Sequence, residues 1–324
     1  MKNYKICVIG AGNWGMNHIR TLNELNALGG IVDKNPGSIK SFVLNDSKCV
    51  YHNNLDEALD SGYDGFIVAT PPNTHFKIAK RIIQSQKPIL VEKPLTLNLK
   101  DAIILNKLAK QNQVNLMVGH LLLFHPAFRK IASIIKSGKL GDIQYIYSNR
   151  INLGTIRSDE NVFWSFAAHD IALFNYFFEE TPIEVQSSGI DIIQKGIHDT
   201  TITSFKYKKN KMGHIFVSWL HPFKEHRFVI IGSEGMIHFD DTLKNKPLKF
   251  YDKKVKFKDS IPTPHSGEIE LIEYENELPL TNELKYFLSK LNAEKIEIAN
   301  GDSAVEVIKI LEEATISLNK RIDR

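Results

Sequence analysis

A continuous apolar run, Lys5-Ile-Cys-Val-Ile-Gly10, opens directly into Gly10-Ala-Gly12-Asn-Trp-Gly15 and then into Met16–Leu25, which has helical periodicity. No other stretch restricts the fold so tightly. An apolar run without alternation is the pattern of a strand buried on both faces, as in a parallel sheet. Gly10 then serves a tight turn, Gly12 lets the backbone approach a bound group, and Gly15 permits close helix–strand packing. The following helix would present unpaired amides and the positive end of its dipole to a pyrophosphate. Strand, turn and helix in this order form the dinucleotide fingerprint in its full context.

The segments that follow repeat the alternation. Leu28–Val32 reads as a second short strand, ending about twenty residues beyond the fingerprint at Asp33. An acidic side chain there accepts hydrogen bonds from ribose hydroxyls and repels a 2′-phosphate, which favours NAD over NADP. The adjacent Lys34 softens that preference. Gly65–Ala69 is a further strand, stopped by Thr70-Pro71-Pro72-Asn73-Thr74-His75. The prolines end it, and Asn73 or Thr74 is expected to cap a helix that begins near His75 and runs over 76–86. His75 reads either as a first-turn helix residue or as a catalyst. Ile89-Leu90-Val91-Glu92-Lys93-Pro94-Leu95 is a buried strand closed by a charged pair and a proline. At the carboxyl end of a parallel strand, Lys93 would face the ligand crevice; the plainer alternative is a solvated pair with Glu92. A helix over Leu99–Gln111 and a strand over Asn115–Val118, ending in Gly119-His120, complete an α/β, doubly wound parallel sheet.

At 324 residues the chain exceeds one ordinary core, so two domains are expected, 1–121 and 122–324. With 43% apolar and 24% charged residues and a formal charge of +4, the composition is globular and lacks a nucleic-acid signature. The densest basic run, Lys206–Lys211, falls at an expected hairpin turn and reads as a solvated loop. Two cysteines give neither a disulfide framework nor metal spacing, and no metal is expected. No apolar run reaches membrane length and no signal sequence opens the chain, which leads us to expect a cytoplasmic protein.

Beyond Leu122 the pattern changes to an α+β domain. A helix is expected over Phe128–Ser137, followed by an alternating strand, Ile143–Ile151. Strand-like runs at Ile183–Ile193, Thr200–Tyr207, Gly213–Leu220, Arg227–Ile231 and Met236–Phe239 suggest an open, mostly antiparallel sheet. Tyr145, Tyr147, Phe205, Tyr207 and Phe216 are placed on its free face, covered by another subunit or by helices of the same chain. Lys253–Glu277 is expected to be an extended loop, and Asn282–Leu291 and Ser303–Asn319 closing helices. The informative stretch is Gly154-Thr-Ile-Arg157-Ser-Asp159-Glu-Asn161-Val-Phe-Trp164-Ser165-Phe-Ala-Ala-His169-Asp170. From Asn161 it opens a helix with Ser165 and His169 on one face. An unperturbed imidazole is mostly the free base at neutral pH, suited to accepting a hydroxyl proton. A hydrogen-bonded core histidine is the alternative. Arg157 suits a phosphate or carboxylate, or a surface salt bridge with Asp159 or Glu160.

Gly10–Gly15, Ala69–His75, Glu92-Lys93-Pro94, Gly119-His120, His125-Pro-Ala-Phe128 and Leu140-Gly-Asp-Ile143 in this order resemble the glucose–fructose oxidoreductase/inositol dehydrogenase/MocA family. The resemblance implies a Rossmann domain followed by an α/β domain, and hydride chemistry on a sugar or cyclitol. It implies an NAD site drawn from Gly10, Gly12, Asn13, Trp14, Gly15, Asp33, Thr70, Pro71, Asn73, His75, Glu92 and Lys93. Substrate contacts would come from His120, Arg157, Asn161, Trp164 and Asp170, and catalysis from Lys93 and His169. In the family an acid stands four residues before the histidine; here that position is Ser165, so His169 is weaker, takes another partner such as Asp170, or shares its task with Lys93.

The stretch Gly154–Trp164 is similar to a narrower branch, NAD-dependent 3-dehydrogenases of UDP-linked N-acetylglucosamine or its uronate, which feed an aminotransferase in 3-amino-sugar synthesis for lipid A or surface polysaccharide. Ser218–Lys224 resembles that branch too, through Trp219 and Lys224. The aromatic sheet face suggests a homo-dimer or homo-tetramer through the C-terminal sheet. The rival expectations are a ketoreductase of a deoxysugar nucleotide, a polyol or inositol dehydrogenase, and a dinucleotide-sensing protein without catalysis.

Overall fold

A computed structural model of the chain describes residues 4–35, 39, 49–292 and 294–320. The chain divides into two compact units, with divisions at 124/125, 277/278 and 309/310. The first division lies close to the one expected at 121/122. The later ones differ from a single continuous C-terminal domain, because 278–309 returns to the first unit.

In the first unit, six parallel strands lie in the order β3-β2-β1-β4-β5-β6. They are β1 (Ile6–Ile9), β2 (Leu28–Val32), β3 (Val50–His52), β4 (Gly65–Val68), β5 (Ile89–Val91) and β6 (Leu116–Val118). β1, β4, β5 and β6 are buried throughout, as their unbroken apolar runs require. The helices are α1 (Asn13–Glu24), α2 (Leu55–Leu59), α3 (Pro72–Gln84) and α4 (Leu99–Gln111). α3 starts earlier than expected. Pro72 occupies its first turn, where a missing N–H costs nothing, so Asn73 and Thr74 lie inside the helix instead of capping it. Asn98 caps α4 by accepting from the Asp101 amide.

The second unit holds an eight-stranded sheet in the order β14-β13-β12-β11-β7-β10-β9-β8. The strands are β7 (Ile143–Ile151), β8 (Glu184–Ile190), β9 (Thr200–Lys206), β10 (Met212–Ser218), β11 (Glu225–Gly232), β12 (Met236–Asp240), β13 (Leu248–Lys258) and β14 (Ile261–Ile272). All pairings are antiparallel except β7 with β10. Helices α5 (Pro126–Lys136) and α6 (Val162–Phe178) belong to this unit, and α6 packs on β7, β9 and β10. Phe128, Phe174, Phe177, Phe228 and Phe239 interlock in edge-to-face and tilted contacts at its core.

Two expectations are corrected here. Residues 253–277 are not a loop, since β13 and β14 form a long hairpin across most of them. Asp259 and Ser260 turn it with φ of 50° and 65°, the geometry of a two-residue primed turn. The hairpin was hidden because both its faces are largely exposed, so no alternation marks it. The proposed aromatic face also divides. Phe205 and Tyr207 are buried against Phe174 and Phe178 of α6, whereas Tyr145, Tyr147 and Phe216 are half-buried. Tyr147 stacks on His214 with ring centroids 5.2 Å apart.

Helix α7 (Pro279–Ser289) lies in the first unit and packs on α1 and on the short 3-10 turn Leu121–Phe124. The last helix, α8 (Gly301–Asn319), begins in the first unit and ends in the second.

Candidate active site

The chemistry-bearing residues of the first unit gather at the carboxyl ends of its strands, where ligands of open α/β sheets bind. Gly10 follows β1 with φ of +93°. A Cβ there would lie 2.8 Å from the Ala69 carbonyl oxygen, so the turns after β1 and β4 touch through it. A Cβ on Gly15 would meet the Gly10 carbonyl oxygen at 2.0 Å, which is the close packing its place in the motif demands. A Cβ on Gly12 would meet nothing within 4 Å. The loop therefore presents open backbone where a pyrophosphate would approach, and Asn13 and Trp14 start the helix behind it. After β2, the Asp33 carboxylate accepts from the amides of Ala11 at 2.6 Å and Asn35 at 2.7 Å. A carboxylate has about four acceptor sites, so lone pairs are left for ribose hydroxyls. These residues fit NAD.

The turn after β4 is fixed from inside. The Thr70 and Thr74 hydroxyls share a hydrogen bond at 2.6 Å, and Pro71 precedes α3. Asn73 is exposed, and His75 is only 1% exposed. The His75 ring nitrogens lie 2.9 Å from the Pro94 carbonyl oxygen and 2.8 Å from that of Thr70. Burial pushes the ring below its ordinary pKa in spite of these two acceptors. His75 thus joins the turn after β4 to the one after β5 through their backbone carbonyls.

Glu92 and Lys93 end β5. Glu92 is buried and its Oε1 takes two donors, His18 Nε2 at 2.6 Å and the Trp14 indole N–H. Its Oε2 accepts from the Lys93 amide at 3.2 Å, and its carboxyl lies so near Gly119 that a Cβ there would come within 2.9–3.1 Å. Burial pushes the Glu92 carboxyl up, but the His18, Trp14 and Lys93 donors outweigh it and hold it below the usual carboxylate range. The expected alternative, a solvated Glu92–Lys93 pair, is not what forms: Glu92 faces inward and Lys93 is half-buried. His120, after β6, is 1% exposed, and burial together with the charge of Lys93 lowers it to about 4.

Two members of this cluster were not singled out from the sequence. His18 sits one turn after Trp14 on the buried face of α1, a spacing that could have signalled it. Glu283 on α7 is fully buried, one turn before Phe287 on the helix's apolar side. An acid in an apolar stripe was the available sign.

In the second unit the candidates are largely engaged in holding the structure. Asn161 caps α6 by accepting from the Trp164 amide at 3.1 Å. The Trp164 indole donates to Thr315 Oγ1 at 2.9 Å. Asp170 is 1% exposed and takes Arg150 through both oxygens, at 2.9 and 3.2 Å, so it serves as an ion-pair partner in the core. Arg157 is exposed and pairs with Glu160 at 3.1 Å. α6 carries Ser165 and His169 one turn apart, with Ser165 buried and His169 half-buried. Trp219 is fully buried in the core. Among the described residues no group of three or more His, Cys, Asp or Glu could hold a metal ion, and no helix is long and apolar enough to cross a membrane.

Residues 4–120 match the model of an oxidoreductase family with an NAD-binding Rossmann fold, and residues 128–238 match the C-terminal domain of the same family. The chain belongs to the Gfo/Idh/MocA family. Its relatives include UDP-N-acetylglucosamine 3-dehydrogenase of Acidithiobacillus ferrooxidans, 28% identical over 56% of this chain and 57% of that protein. They also include scyllo-inositol 2-dehydrogenase (NAD(+)) of Bacillus subtilis, 27% identical over 63% of this chain and 62% of that one. These matches span less than two thirds of either relative. In fold, the Acidithiobacillus enzyme superposes with a TM-score of 0.87 at 21% identity, covering 100% of both chains. The WlbA dehydrogenase of Bordetella pertussis, solved with NADH and UDP-GlcNAcA, gives 0.78 at 17% identity, covering 99% of this chain and 98% of that one. As in the rest of the Gfo/Idh/MocA family, the first unit is an NAD-binding Rossmann domain.

Proposed function

We propose that the protein is an NAD-dependent dehydrogenase that oxidises the C3 hydroxyl of a UDP-linked N-acetylglucosamine-type sugar to the 3-keto sugar. The observation that carries the reading is the end of β5, where Lys93 follows a Glu92 held by three donors beside the fingerprint turn. The bound dinucleotide supplies the acceptor for the hydride. Lys93 hydrogen-bonds the substrate oxygen and offsets the negative charge that develops on it. His169 accepts the hydroxyl proton. Asp33 selects a ribose with free hydroxyls, and Arg157, released from Glu160, binds diphosphate or carboxylate.

The choice of a nucleotide sugar is supported by the Acidithiobacillus relative and by the neighbour solved with UDP-GlcNAcA. A free cyclitol is the second reading, favoured by the inositol dehydrogenase relative. In the first reading an aminotransferase consumes the keto product on the way to lipid A or surface polysaccharide. The half-buried face bearing Tyr145, Tyr147 and Phe216 pairs with a second copy of the chain, in the cytoplasm.

The test is NADH formation from NAD with UDP-N-acetylglucosamine, its uronate, a thymidine-linked hexose and free inositol, with an aminotransferase added to draw off keto product. Formation with one UDP-sugar alone supports the proposal. Turnover of inositol alone replaces it with the cyclitol reading. If NAD binds but no NADH forms with any of them, the dehydrogenase reading fails and a ketoreductase or a sensor takes its place.

A further inference from the structure

Glu283 is 0% exposed, and neither of its carboxyl oxygens has a hydrogen-bond partner among the described residues. It lies on α7, in the unit that also holds Glu92, and the charge of Glu92 acts on it. An ionised carboxylate in such a place would be expensive, because no described donor replaces the water it loses. Two neighbouring carboxyls do not both ionise readily; the better-solvated one takes the charge. Here the choice is visible. Glu92 has His18, Trp14 and the Lys93 amide as donors, and Glu283 has none among the described residues.

We propose that Glu283 is a positioning residue that carries a proton while Glu92 carries the charge, so that a single carboxylate anchors the strand end bearing Lys93. Burial, and after it the Glu92 charge, hold the Glu283 proton well above the usual carboxylate range. The titratable and charged groups on the elements packed around α7 are His18, Arg20 and Glu24 on α1, with none on the Leu121–Phe124 turn; Glu92, which His18 holds, completes the set. Of these, Glu92 is the one whose charge acts on Glu283. Ionising Glu283 sets a second negative charge against Glu92. That repulsion loosens the Glu92 contacts with Trp14 and the Lys93 amide, and through Trp14 it reaches the fingerprint turn. The value of this arrangement for turnover rests on the reading of Lys93 given above; the arrangement itself does not.

Two measurements on the full chain test it, and neither needs a sugar substrate. The infrared difference spectrum between wild type and Glu283→Gln at neutral pH should contain a protonated-carboxyl C=O band that shifts in D2O and disappears at alkaline pH. Its absence at neutral pH would overturn the proposal. NAD affinity, followed by tryptophan fluorescence, should weaken about tenfold in wild type over the pH range where the band is lost, the scale of one neighbouring like charge. In Glu283→Gln that step should be missing; if both proteins weaken at the same pH, Glu283 does not act on Glu92. Should Glu283→Gln fail to fold, wild type still decides, because an alkaline loss of NAD affinity that does not coincide with loss of the band removes the coupling. Failure of the sugar panel alongside a positive infrared result would sink only the choice of reaction.

Discussion

The strand ends of the first unit and helix α6 of the second both concentrate polar residues that look catalytic in the sequence, yet the two are built differently. After β1, β2, β4 and β5, side chains such as Asp33, His75 and Glu92 bind backbone or each other and leave loop backbone open around Gly12. Along α6, Asn161, Trp164 and Asp170 are engaged as a cap, a tie to Thr315 and a core ion pair. In a parallel sheet the strands themselves are sealed, so polar residues at their ends are available to ligands. A helix packed on a sheet has no such separation. Its polar residues must first satisfy the helix and the surrounding core.

The sharpest way to break this contrast is Asp170→Ala. It leaves the half-buried Arg150 without its bidentate partner and should cost about 3 kcal/mol of stability, read from the denaturant midpoint. An unchanged midpoint with a raised KM for the sugar would return Asp170 to the substrate site. Next comes Lys93→Met, which should reduce turnover by about 10²–10³-fold, the usual loss for one oxyanion donor, with little change in NAD affinity. Retained turnover would mean that the end of β5 is as structural as α6.

The third test is acidification of the first unit. His120 is lowered from 6.5 to about 4, so in the fold it stays neutral where the unfolded chain takes up a proton. Stability should therefore be complete above pH 6.5 and fall as pH drops towards 4, by about 2 kcal/mol at pH 5. His120→Gln should flatten that part of the stability–pH curve. The smallest effect expected is Asn161→Ala, about 1 kcal/mol from loss of the α6 cap, with turnover per folded molecule retained. A large loss of turnover at unchanged stability would show that the cap also touches substrate.

The parallel sheet was legible because its signals are local: an apolar run, a glycine turn and a helix lie next to one another in the chain. For the same reason Gly10, Asp33 and Lys93 fall where their motifs predict. What escaped depends on partners distant in sequence. Glu283 comes under the charge of Glu92 from nearly two hundred residues away in sequence, and the apolar stripe around it marks it as buried without saying which group it faces. Asp170 looked available to His169 because Arg150, on β7, lies outside the helical motif. Phe205 and Phe216 both alternate correctly in their strands, but alternation does not say which face a helix will cover.

The hairpin β13–β14 sets a limit on how this protein can aggregate. β14 is an outer strand of the eight-stranded sheet, and an outer strand is normally a template on which further chains can polymerise. Pro262 and Pro264 stand two apart on it, opposite Phe257 and Val255, while the ladder to β13 continues through them. Their missing N–H groups therefore fall on the outward side, where an added strand would need donors. Lys253, Lys254, Lys256 and Lys258 on β13 place positive charge beside the same margin. Crowded at high concentration, such molecules meet a gap of two donors at the start of β14, which interrupts the row an added strand would need on this side.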